Sequence, residues 1–284
     1  MSIVVTGATG HLGRHVVEQL LEKVPADRIT AVVRDESKAA DFAARGARLA
    51  VADYNRPETF DGVFAAGDRV LLISGNEFDK GRVAQHKVVI DAAKAAGVAL
   101  LAYTSAPGGM TAALVDDHRG TEEILLASGL PYTLLRNGWY HENYTENLAP
   151  VLEHGAVVQA AGEGRISSAS RADYAAAAVA VLTGEGHENT TYELGGDEAW
   201  GFAEYAAELS RQTGKEIVYN SVPVDAYTKI LTGAGLPEPL AAILAGVDVS
   251  IAKGELVVST GDLSRLAGRP TTPLADAIAA AVKG

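Results

Sequence analysis

The stretch Met1-Ser-Ile-Val-Val-Thr-Gly-Ala-Thr-Gly-His-Leu-Gly-Arg-His15 predicts a strand, a tight turn and a helix in immediate succession. Its β-branched run, residues 2–6, is typical of a buried strand, and from Leu12 onward apolar residues recur at helical spacing. Three glycines spaced three residues apart let the backbone turn sharply and let a phosphate approach the main chain. The helix N-terminus then offers N–H groups to that phosphate. The alternative is an ordinary strand–helix turn that binds nothing.

If the turn binds a dinucleotide, every one of its residues contacts the phosphates or their surroundings. We therefore predict cofactor contacts from Gly7, Ala8, Thr9, Gly10, His11, Leu12 and Gly13. At His11 we expect the backbone to matter more than the imidazole ring.

The composition indicates a soluble globular protein of ordinary type. Hydrophobic residues make up 48% of the 284 residues and charged residues 21%. Because the apolar runs are too short to cross a bilayer, we expect a cytoplasmic protein without membrane insertion. The absence of cysteine excludes disulfides, thiolate metal sites and cysteine nucleophiles. The net charge of −12 argues against nucleic acids as partners.

Strands and helices alternate with short connections from the N-terminus to about residue 137. We predict strands at Ser2–Thr6, Ile29–Arg34, Arg48–Ala52, Val70–Ser74, Val98–Thr104 and Tyr132–Arg136. We predict helices from Leu12 to Val24 and at Ser37–Arg45, Asn55–Gly67, Gly81–Ala96 and Asp116–Ser128. This alternation is typical of an α/β fold, a Rossmann-type doubly wound parallel sheet with right-handed crossovers.

The second half of the chain has a less regular pattern. We predict helices at Glu142–His154, Ser170–Leu182 and Phe202–Thr213, and strands at Thr190–Leu194 and Ile217–Val222. We expect residues 1–137 to form an NADP-binding Rossmann domain to which some later segments return. Residues 138–284 would form a smaller α+β part that binds substrate over the carboxyl ends of the strands.

The end of the second strand indicates which dinucleotide is bound. An acidic residue at this position would accept a hydrogen bond from the ribose of NAD, whereas this chain has Arg34, with Lys38 one helical turn later. Arginine matches a phosphate with a planar fork of donors, so we predict NADP (NADPH) as the cofactor. Asp35 argues for NAD, and the two cations could instead be solvated loop charges.

The other strand ends carry small or polar residues that would let a cofactor lie against the sheet. Ligands of such sheets bind at the carboxyl ends of the strands. We therefore add Asp53, Tyr54, Ser74, Gly75, Asn76, Thr104 and Ser105 to the predicted cofactor-binding residues.

Five segments together resemble one known group of enzymes. These are Gly7–Gly13, Val33-Arg34, Ala52-Asp53-Tyr54, Ala102–Ser105 and the run Tyr132–Tyr140. They resemble the NmrA-like group of atypical short-chain dehydrogenases/reductases, and Asn137–Asn143 with Ser170–Tyr174 is most similar to its bacterial NADPH-dependent quinone reductases. The resemblance covers nearly the whole chain and implies hydride transfer from NADPH to a quinone, without flavin or metal. Triphenylmethane-dye reductases are similar too.

The sequence departs from the wider superfamily at the acid–base pair. Classical members carry Tyr-x-x-x-Lys, whereas the matching positions here are Leu114 and His118. A quinone is a strong hydride acceptor and its hydroquinone anion is a weak base, so positioning of the two rings would supply most of the catalysis. Ordinary alcohol dehydrogenation is therefore disfavoured.

We predict four residues for catalysis and three for substrate binding. The catalytic candidates are Asn137, Tyr140, His118 and Tyr103, and the substrate-binding candidates are Gly138, Trp139 and Asn143. Asn137 could bind the nicotinamide amide or a quinone oxygen, or merely cap a turn. Trp139 and Tyr140 could line an aromatic substrate site or pack in the core.

Tyr103, His118 and the pair Gln85 and His86 each have a structural explanation beside the functional one. Tyr103 could donate a proton or be structural. His118 could shuttle a proton or be a solvated residue among Asp116, Asp117 and Arg119. Gln85 and His86 are interpreted as a surface or helix-packing pair. No spacing predicts a metal site.

Three functions stay open at this point. The first is NADPH-dependent quinone reduction, with a small aromatic quinone as partner. The second is an NADP(H)-binding redox sensor of the NmrA type that performs no chemistry. The third is reduction of cationic triphenylmethane dyes, which an acidic surface would attract. The oligomeric state is left open, with a homodimer as the state considered.

Overall fold

The computed structural model describes residues 2–76, 81–112 and 115–283, which form two compact units. Unit 1 consists of Met1–Ala106, Asp117–Asn137 and Arg171–Tyr192, and unit 2 of Pro107–Asp116, Gly138–Ser170 and Glu193–Gly284.

The described part of unit 1 is organised around a seven-stranded sheet in the order β3-β2-β1-β4-β5-β6-β9. Its strands are β1 (Ile3–Val5), β2 (Ile29–Val33), β3 (Arg48–Val51), β4 (Arg69–Leu72), β5 (Leu100–Ser105), β6 (Tyr132–Asn137) and β9 (Thr190–Leu194). The pairings from β3 through β6 are all parallel. Strands β1, β2, β4 and β5 are buried along their whole length, as expected of central strands covered on both faces. The predicted fold class is confirmed.

Helices connect these strands, and the apolar face of each packs inward. They are α1 (His11–Lys23), α2 (Ala40–Ala44), α3 (Arg82–Ala96), α4 (Asp116–Ser128) and α7 (Arg171–Thr183), with short 3₁₀ turns at Ala26–Arg28, Glu36–Ala39 and Pro57–Phe60. In α1 the buried residues Leu12, Val16, Val17 and Leu20 recur at the spacing that the sequence predicts. Gly97 ends α3 in the left-handed conformation that glycine tolerates best.

Unit 2 contains two small sheets and several helices. Strands β7 (Ala156–Gln159) and β11 (Val218–Ser221) pair in parallel, and β8 (Arg165–Ile166) pairs antiparallel with β10 (Trp200–Gly201). The helices are α5 (Glu142–Thr145), α6 (Ala149–His154), α8 (Phe202–Thr213), α9 (Val224–Gly233), α10 (Glu238–Ala252), α11 (Asp262–Ala267) and α12 (Leu274–Lys283). Sequence analysis missed β7, β8 and β10, of which β8 and β10 have only two residues each and cannot show periodicity.

Two predicted helices are wrong. In place of the helix Asn55–Gly67 the structure has only the 3₁₀ turn Pro57–Phe60. Gly62 adopts a positive φ of 75°, which is not helical, and the N–H of Ala65 donates to the Asp68 carboxylate and not to a helix carbonyl. The helix Glu142–His154 is divided into α5 and α6. Pro150, in the first turn of α6, lacks the N–H that a continuous helix would need there.

Membrane-spanning helices and metal-binding clusters are both absent from the described residues. None of their helices is long and apolar enough to cross a membrane. Nor do they contain a group of three or more histidine or carboxylate side chains that could hold a metal ion.

Candidate functional site

The glycine turn between β1 and α1 forms a close backbone contact. A Cβ atom on Gly13 would lie 2.2 Å from the carbonyl oxygen of Gly7 and 2.9 Å from the Cα of Ala8. Gly7 has a φ of +61°, which disfavours other residues, and the Gly10 N–H donates to the Gly7 carbonyl at 2.9 Å. The helix therefore starts directly against the end of β1, with His11 as its first residue. This is the arrangement in which helix N–H groups face a phosphate.

Two exposed cations follow β2, as the sequence predicts. Arg34 and Lys38 both lie on the surface. The Asp35 carboxylate accepts hydrogen bonds from the Ser37 N–H at 3.0 Å and the Ser37 hydroxyl at 2.7 Å, which lower the pKa of Asp35. This carboxylate caps the 3₁₀ turn Glu36–Ala39. Asp35, the one residue that argued for NAD, thus caps a local turn. This favours the interpretation that Arg34 and Lys38 bind a phosphate.

The ends of β1, β3 and β4 are joined through Tyr54. Its hydroxyl donates to the carbonyl of Ile73 at 2.9 Å and hydrogen-bonds the hydroxyl of Thr6. Burial raises the pKa of Tyr54, so its hydroxyl stays protonated. Asp53 accepts from the Asn55 N–H at 2.9 Å in a tight local turn. Tyr54 thereby lies beside Gly7, whose hypothetical Cβ would be 3.9 Å from its hydroxyl oxygen.

The loop after β4 is tied to β5 and to α3. The Ser74 N–H donates to the Thr104 hydroxyl at 2.9 Å, and the Gly75 N–H donates to Nε2 of His86 at 2.9 Å. Asn76 is exposed and is the last described residue before residues 77–80. The structure thus brings the predicted residues Tyr54, Ser74, Gly75 and Thr104 to one edge of the sheet.

Tyr103 and His118 lie in a buried polar network with Arg82. Nη2 of Arg82 donates to Nε2 of His118 at 2.7 Å, and the Tyr103 hydroxyl lies 2.9 Å from Nδ1 of His118. Because arginine can only donate, the neutral His118 ring carries its proton on Nδ1 and donates it to the tyrosine oxygen. Burial and, next, the Arg82 charge hold the pKa of His118 well below its ordinary value. His118 is therefore neutral and buried, and the solvated alternative is wrong.

Ser105 belongs to a different buried arrangement. Its hydroxyl donates to Oε1 of Glu122, and Arg136 donates to the two oxygens of that carboxylate at 2.9 Å and 2.7 Å. The Ser105 side chain is thus engaged with an ion pair, and a cofactor contact from this residue stays a prediction. Asn137 is buried at the end of β6, and Leu114 lies outside the described residues.

In unit 2 the segment after Gly138 is fixed to Ala169. Tyr140 pairs with Ala169 in a parallel bridge, the Ala169 N–H donates to the Trp139 carbonyl at 3.1 Å, and the His141 N–H donates to the Ala169 carbonyl at 2.9 Å. Trp139 and Tyr140 are half-buried, and Asn143 is exposed. The predicted substrate residues are therefore held together on one short, rigid segment.

His141, which sequence analysis did not select, is the buried residue of that segment. Its Nδ1 lies 2.8 Å from the Ser168 hydroxyl and its Nε2 lies 2.9 Å from the Thr272 carbonyl. The carbonyl can only accept, so Nε2 donates to it and Nδ1 accepts from Ser168. Trp200 completes the chain by donating from Nε1 to the same hydroxyl at 2.8 Å.

Two buried histidines could have been found from periodicity alone. His86 is in register with the buried Val89, Ile90 and Ala93 of α3, and His118 with Thr121 and Leu125 of α4. Residues three, four and seven apart share one helix face. Of the two alternatives for Gln85 and His86, the surface pair is wrong, since both are buried, and the helix-packing pair agrees with the structure. Their hydrogen-bond partners could not be read from spacing.

Comparison with known proteins places this chain among dinucleotide-binding reductases. A family model described as NAD(P)H-binding matches residues 7–185. Quinone oxidoreductase 2 of Escherichia coli (strain K12) is 46% identical over 278 residues, which cover 97% of both chains.

Two solved structures share the whole architecture. The crystal structure of the E. coli NADPH-dependent quinone oxidoreductase complexed with NADPH superposes with a TM-score of 0.94 at 46% identity and covers 98% of this chain and 99% of that chain. The Citrobacter sp. triphenylmethane reductase complexed with NADP(H) also gives a TM-score of 0.94, at 40% identity, and covers 99% and 100% of the respective chains. Because the family match spans more than half of the chain and includes the glycine turn and β2 to β6, this protein belongs to the NAD(P)H-binding family.

Proposed function

We propose that this protein is an NADPH-dependent reductase that transfers hydride directly to a quinone. The observation that carries the proposal is the 46% identity, along 97% of the chain, to E. coli quinone oxidoreductase 2. The glycine turn supports it, because it leaves Gly7, Gly10 and His11 exposed at a helix N-terminus, where backbone N–H groups can bind a phosphate. Tyr54, Ser74, Gly75 and Thr104 lie along the same sheet edge.

In this function, separate groups of residues would bind the cofactor and the quinone. NADPH supplies the hydride when it is bound. The glycine turn holds its pyrophosphate, and Arg34 with Lys38 holds the phosphate of the adenosine ribose. Asn137 orients the nicotinamide amide or a quinone oxygen, and Trp139 with Tyr140 provides a flat face for the aromatic ring. Gly138 and Asn143 complete the substrate contacts.

Proton transfer is the step for which side chains are least needed. One hydride and one proton convert a quinone into a hydroquinone, and the hydroquinone anion is a weak base that solvent can protonate. Tyr103 and His118 stay candidates for this step. Their burial and their mutual hydrogen bond favour a role in shaping the sheet edge over direct contact with the quinone.

A second candidate function is reduction of triphenylmethane dyes. The specific observation in its favour is the 40% identity along 99% of this chain to the Citrobacter reductase. The net charge of −12 would also attract cationic dyes. The NADP(H) sensor is a third alternative, while the cytoplasmic location and the homodimer stay predictions.

The deciding experiment follows NADPH absorbance with purified protein and 1,4-benzoquinone, beside parallel reactions with NADH and with crystal violet. Rapid oxidation of NADPH that requires the quinone is the expected result. Turnover with crystal violet alone would replace the proposal with dye reduction. NADPH binding without turnover on either acceptor would favour the sensor.

Replacement of Arg34 by glutamate tests the cofactor assignment. If its guanidinium holds the ribose phosphate, R34E should weaken NADPH binding by about 1.5–3 kcal/mol, the range for charge-assisted hydrogen bonds. NADH affinity should change by less than about 0.5 kcal/mol, as for a surface substitution that touches no ligand. Isothermal titration calorimetry with both cofactors measures the difference.

A matched control for R34E is Arg45→Glu, which makes the same change of net charge at the exposed residue that follows α2. R45E should leave both affinities nearly unchanged. Equal losses for NADPH and NADH in R34E would contradict the assignment of Arg34 to the phosphate.

A further inference from the structure

The loop that follows β4 is held by a histidine that no sequence motif marks. His86 is fully buried on α3, with 0% of its surface exposed, and its Nε2 lies 2.9 Å from the N–H of Gly75. A hypothetical Cβ on Gly75 would be 3.8 Å from that same ring nitrogen and 3.4 Å from Oε1 of Gln85. The Gly75 backbone is therefore packed directly against these two side chains of α3.

The hydrogen bonds around His86 allow a single tautomer. A backbone N–H can only donate, so Nε2 accepts and the ring proton sits on Nδ1. Nδ1 lies 2.8 Å from the Thr121 hydroxyl, which donates its own proton to the Asp117 carbonyl at 2.8 Å. The opposite tautomer would direct an N–H at the N–H of Gly75. Thr121 thus determines which ring nitrogen is available to the loop.

The surroundings keep this ring neutral. The groups that face it are Tyr103 of β5, whose hydroxyl lies 3.5 Å from Nδ1, the ring of Tyr54, and the positively charged Arg82 of α3. Burial and, next, the Arg82 charge lower the pKa of His86 to about 3. Nε2 therefore remains an acceptor throughout the pH range in which the protein would work.

We propose that His86 is a positioning residue for the cofactor, and that its Nε2 fixes Gly75 at the end of β4 in the conformation that accepts NADPH. This inference rests on the proposed function, because it assumes that the dinucleotide binds along that sheet edge. His86 is fully buried and would act through Gly75 without touching the cofactor. Thr121 supports His86 in this role, because its hydroxyl accepts the Nδ1 proton and so keeps Nε2 available as an acceptor.

Two substitutions of His86 separate its two hydrogen bonds. In His86→Gln the side-chain oxygen can occupy the place of Nε2 and accept from Gly75, while the bond to Thr121 is lost. In His86→Asn the shorter amide can donate to Thr121 but no longer reaches Gly75. Both variants therefore lose one buried hydrogen bond at the same position, and they differ in which bond remains.

The expected result is at least a tenfold increase of the NADPH dissociation constant in H86N and less than a threefold increase in H86Q, measured by calorimetry on folded protein. The Gly75 amide should also exchange with deuterium faster in H86N than in H86Q. A purely structural His86 would lower the unfolding midpoints of both variants alike and leave the two dissociation constants equal, which would overturn the proposal.

Thr121→Val keeps the test decisive if a His86 variant fails to fold. Valine retains the volume and removes the acceptor of the Nδ1 proton, so we expect a threefold to tenfold weaker NADPH affinity. An unchanged affinity in T121V would overturn the proposal. A wild-type protein that binds NADPH but reduces no quinone would overturn only the proposed function, whereas one that binds no NADPH would overturn both.

Discussion

Gly13→Ala is expected to abolish tight NADPH binding and to destabilise the protein by about 2–3 kcal/mol, the upper part of the range for forced overpacking. The added methyl would lie 2.2 Å from the Gly7 carbonyl oxygen and 2.9–3.0 Å from backbone atoms of Ala8. All of these are main-chain atoms of the turn, so no side chain can rotate out of the way. Helix α1 would have to move away from the end of β1.

Ordinary helix propensity predicts the opposite sign for this substitution. Alanine is favoured over glycine by about 1 kcal/mol inside a helix, and Gly13 is the third residue of α1. A net loss of stability therefore means that the backbone contact costs more than the helix propensity of alanine gains. Urea unfolding and calorimetric titration with NADPH are the two measurements.

Gly10→Ala is the matched control in the same turn. Its hypothetical Cβ meets only the Gly7 carbonyl oxygen, at 3.2 Å, and its φ of −73° suits any residue. We expect a loss of less than about 1 kcal/mol, the scale of a poorer helix cap. Equal losses in G10A and G13A would contradict the close-contact explanation.

Asp248→Asn is expected to stabilise the protein at neutral and alkaline pH. Asp248 of α10 is only 3% exposed, and its Oδ2 accepts from the Ala160 N–H at 2.6 Å. With its amide nitrogen toward the carboxylate, Gln159 donates to Oδ2 at 2.9 Å and to the Tyr227 hydroxyl at 2.6 Å. These bonds do not offset the loss of hydration, and burial raises the pKa of Asp248 to about 7.

The sign of the pH dependence follows from that raised pKa. Between about pH 4, where the unfolded carboxyl ionises, and pH 7 the folded state binds more protons, so the free energy of unfolding falls as pH rises. Above about pH 7 Asp248 is ionised in the folded state as well, and the free energy of unfolding is lowered by the whole cost of burying its charge. The pKa rises by about three units, and since one unit corresponds to about 1.4 kcal/mol, the penalty is on the order of 4 kcal/mol. Asparagine cannot ionise and still accepts from Ala160.

The measurement is urea unfolding of wild type and D248N at pH 4, 6 and 8. The variant should gain little at pH 4 and on the order of 4 kcal/mol at pH 8, as the linkage relation requires. Asp197→Asn is the control, because that exposed carboxylate also accepts a backbone N–H, from Thr271 at 2.8 Å. A D248N gain that is the same at all three pH values would contradict the buried-charge explanation.

The buried network of Tyr103, His118 and Arg82 bears on how the reaction proceeds without a tyrosine–lysine pair. The hydrogen bonds of the network run from the Arg82 guanidinium through His118 to Tyr103. Such an arrangement is well suited to stiffening the junction of α3, β5 and α4. It fits a reaction in which the acceptor ring needs orientation more than it needs a side-chain proton.

The amino-acid sequence by itself determined the parts of this protein that depend on local pattern. The glycine turn, the order of the six strands through residue 137, and the exact bounds of α4 and α8 followed from local pattern, because burial of one helix face or both sheet faces leaves a repeating signature. Arg34 and Lys38 after β2 were likewise visible in the sequence, because they stand where NAD-binding folds carry an acidic residue.

Only the tertiary structure decided which polar side chains are buried together. His86 meets Gly75 across 11 residues of sequence, His118 meets Arg82 across 36, and Asp248 meets Ala160 across 88. Hydrogen bonds between such distant residues depend on how the elements pack, and no local pattern encodes a partner. The ionisation of Asp248 and the tautomers of the buried histidines, which follow from those partners, were therefore beyond reach of the sequence.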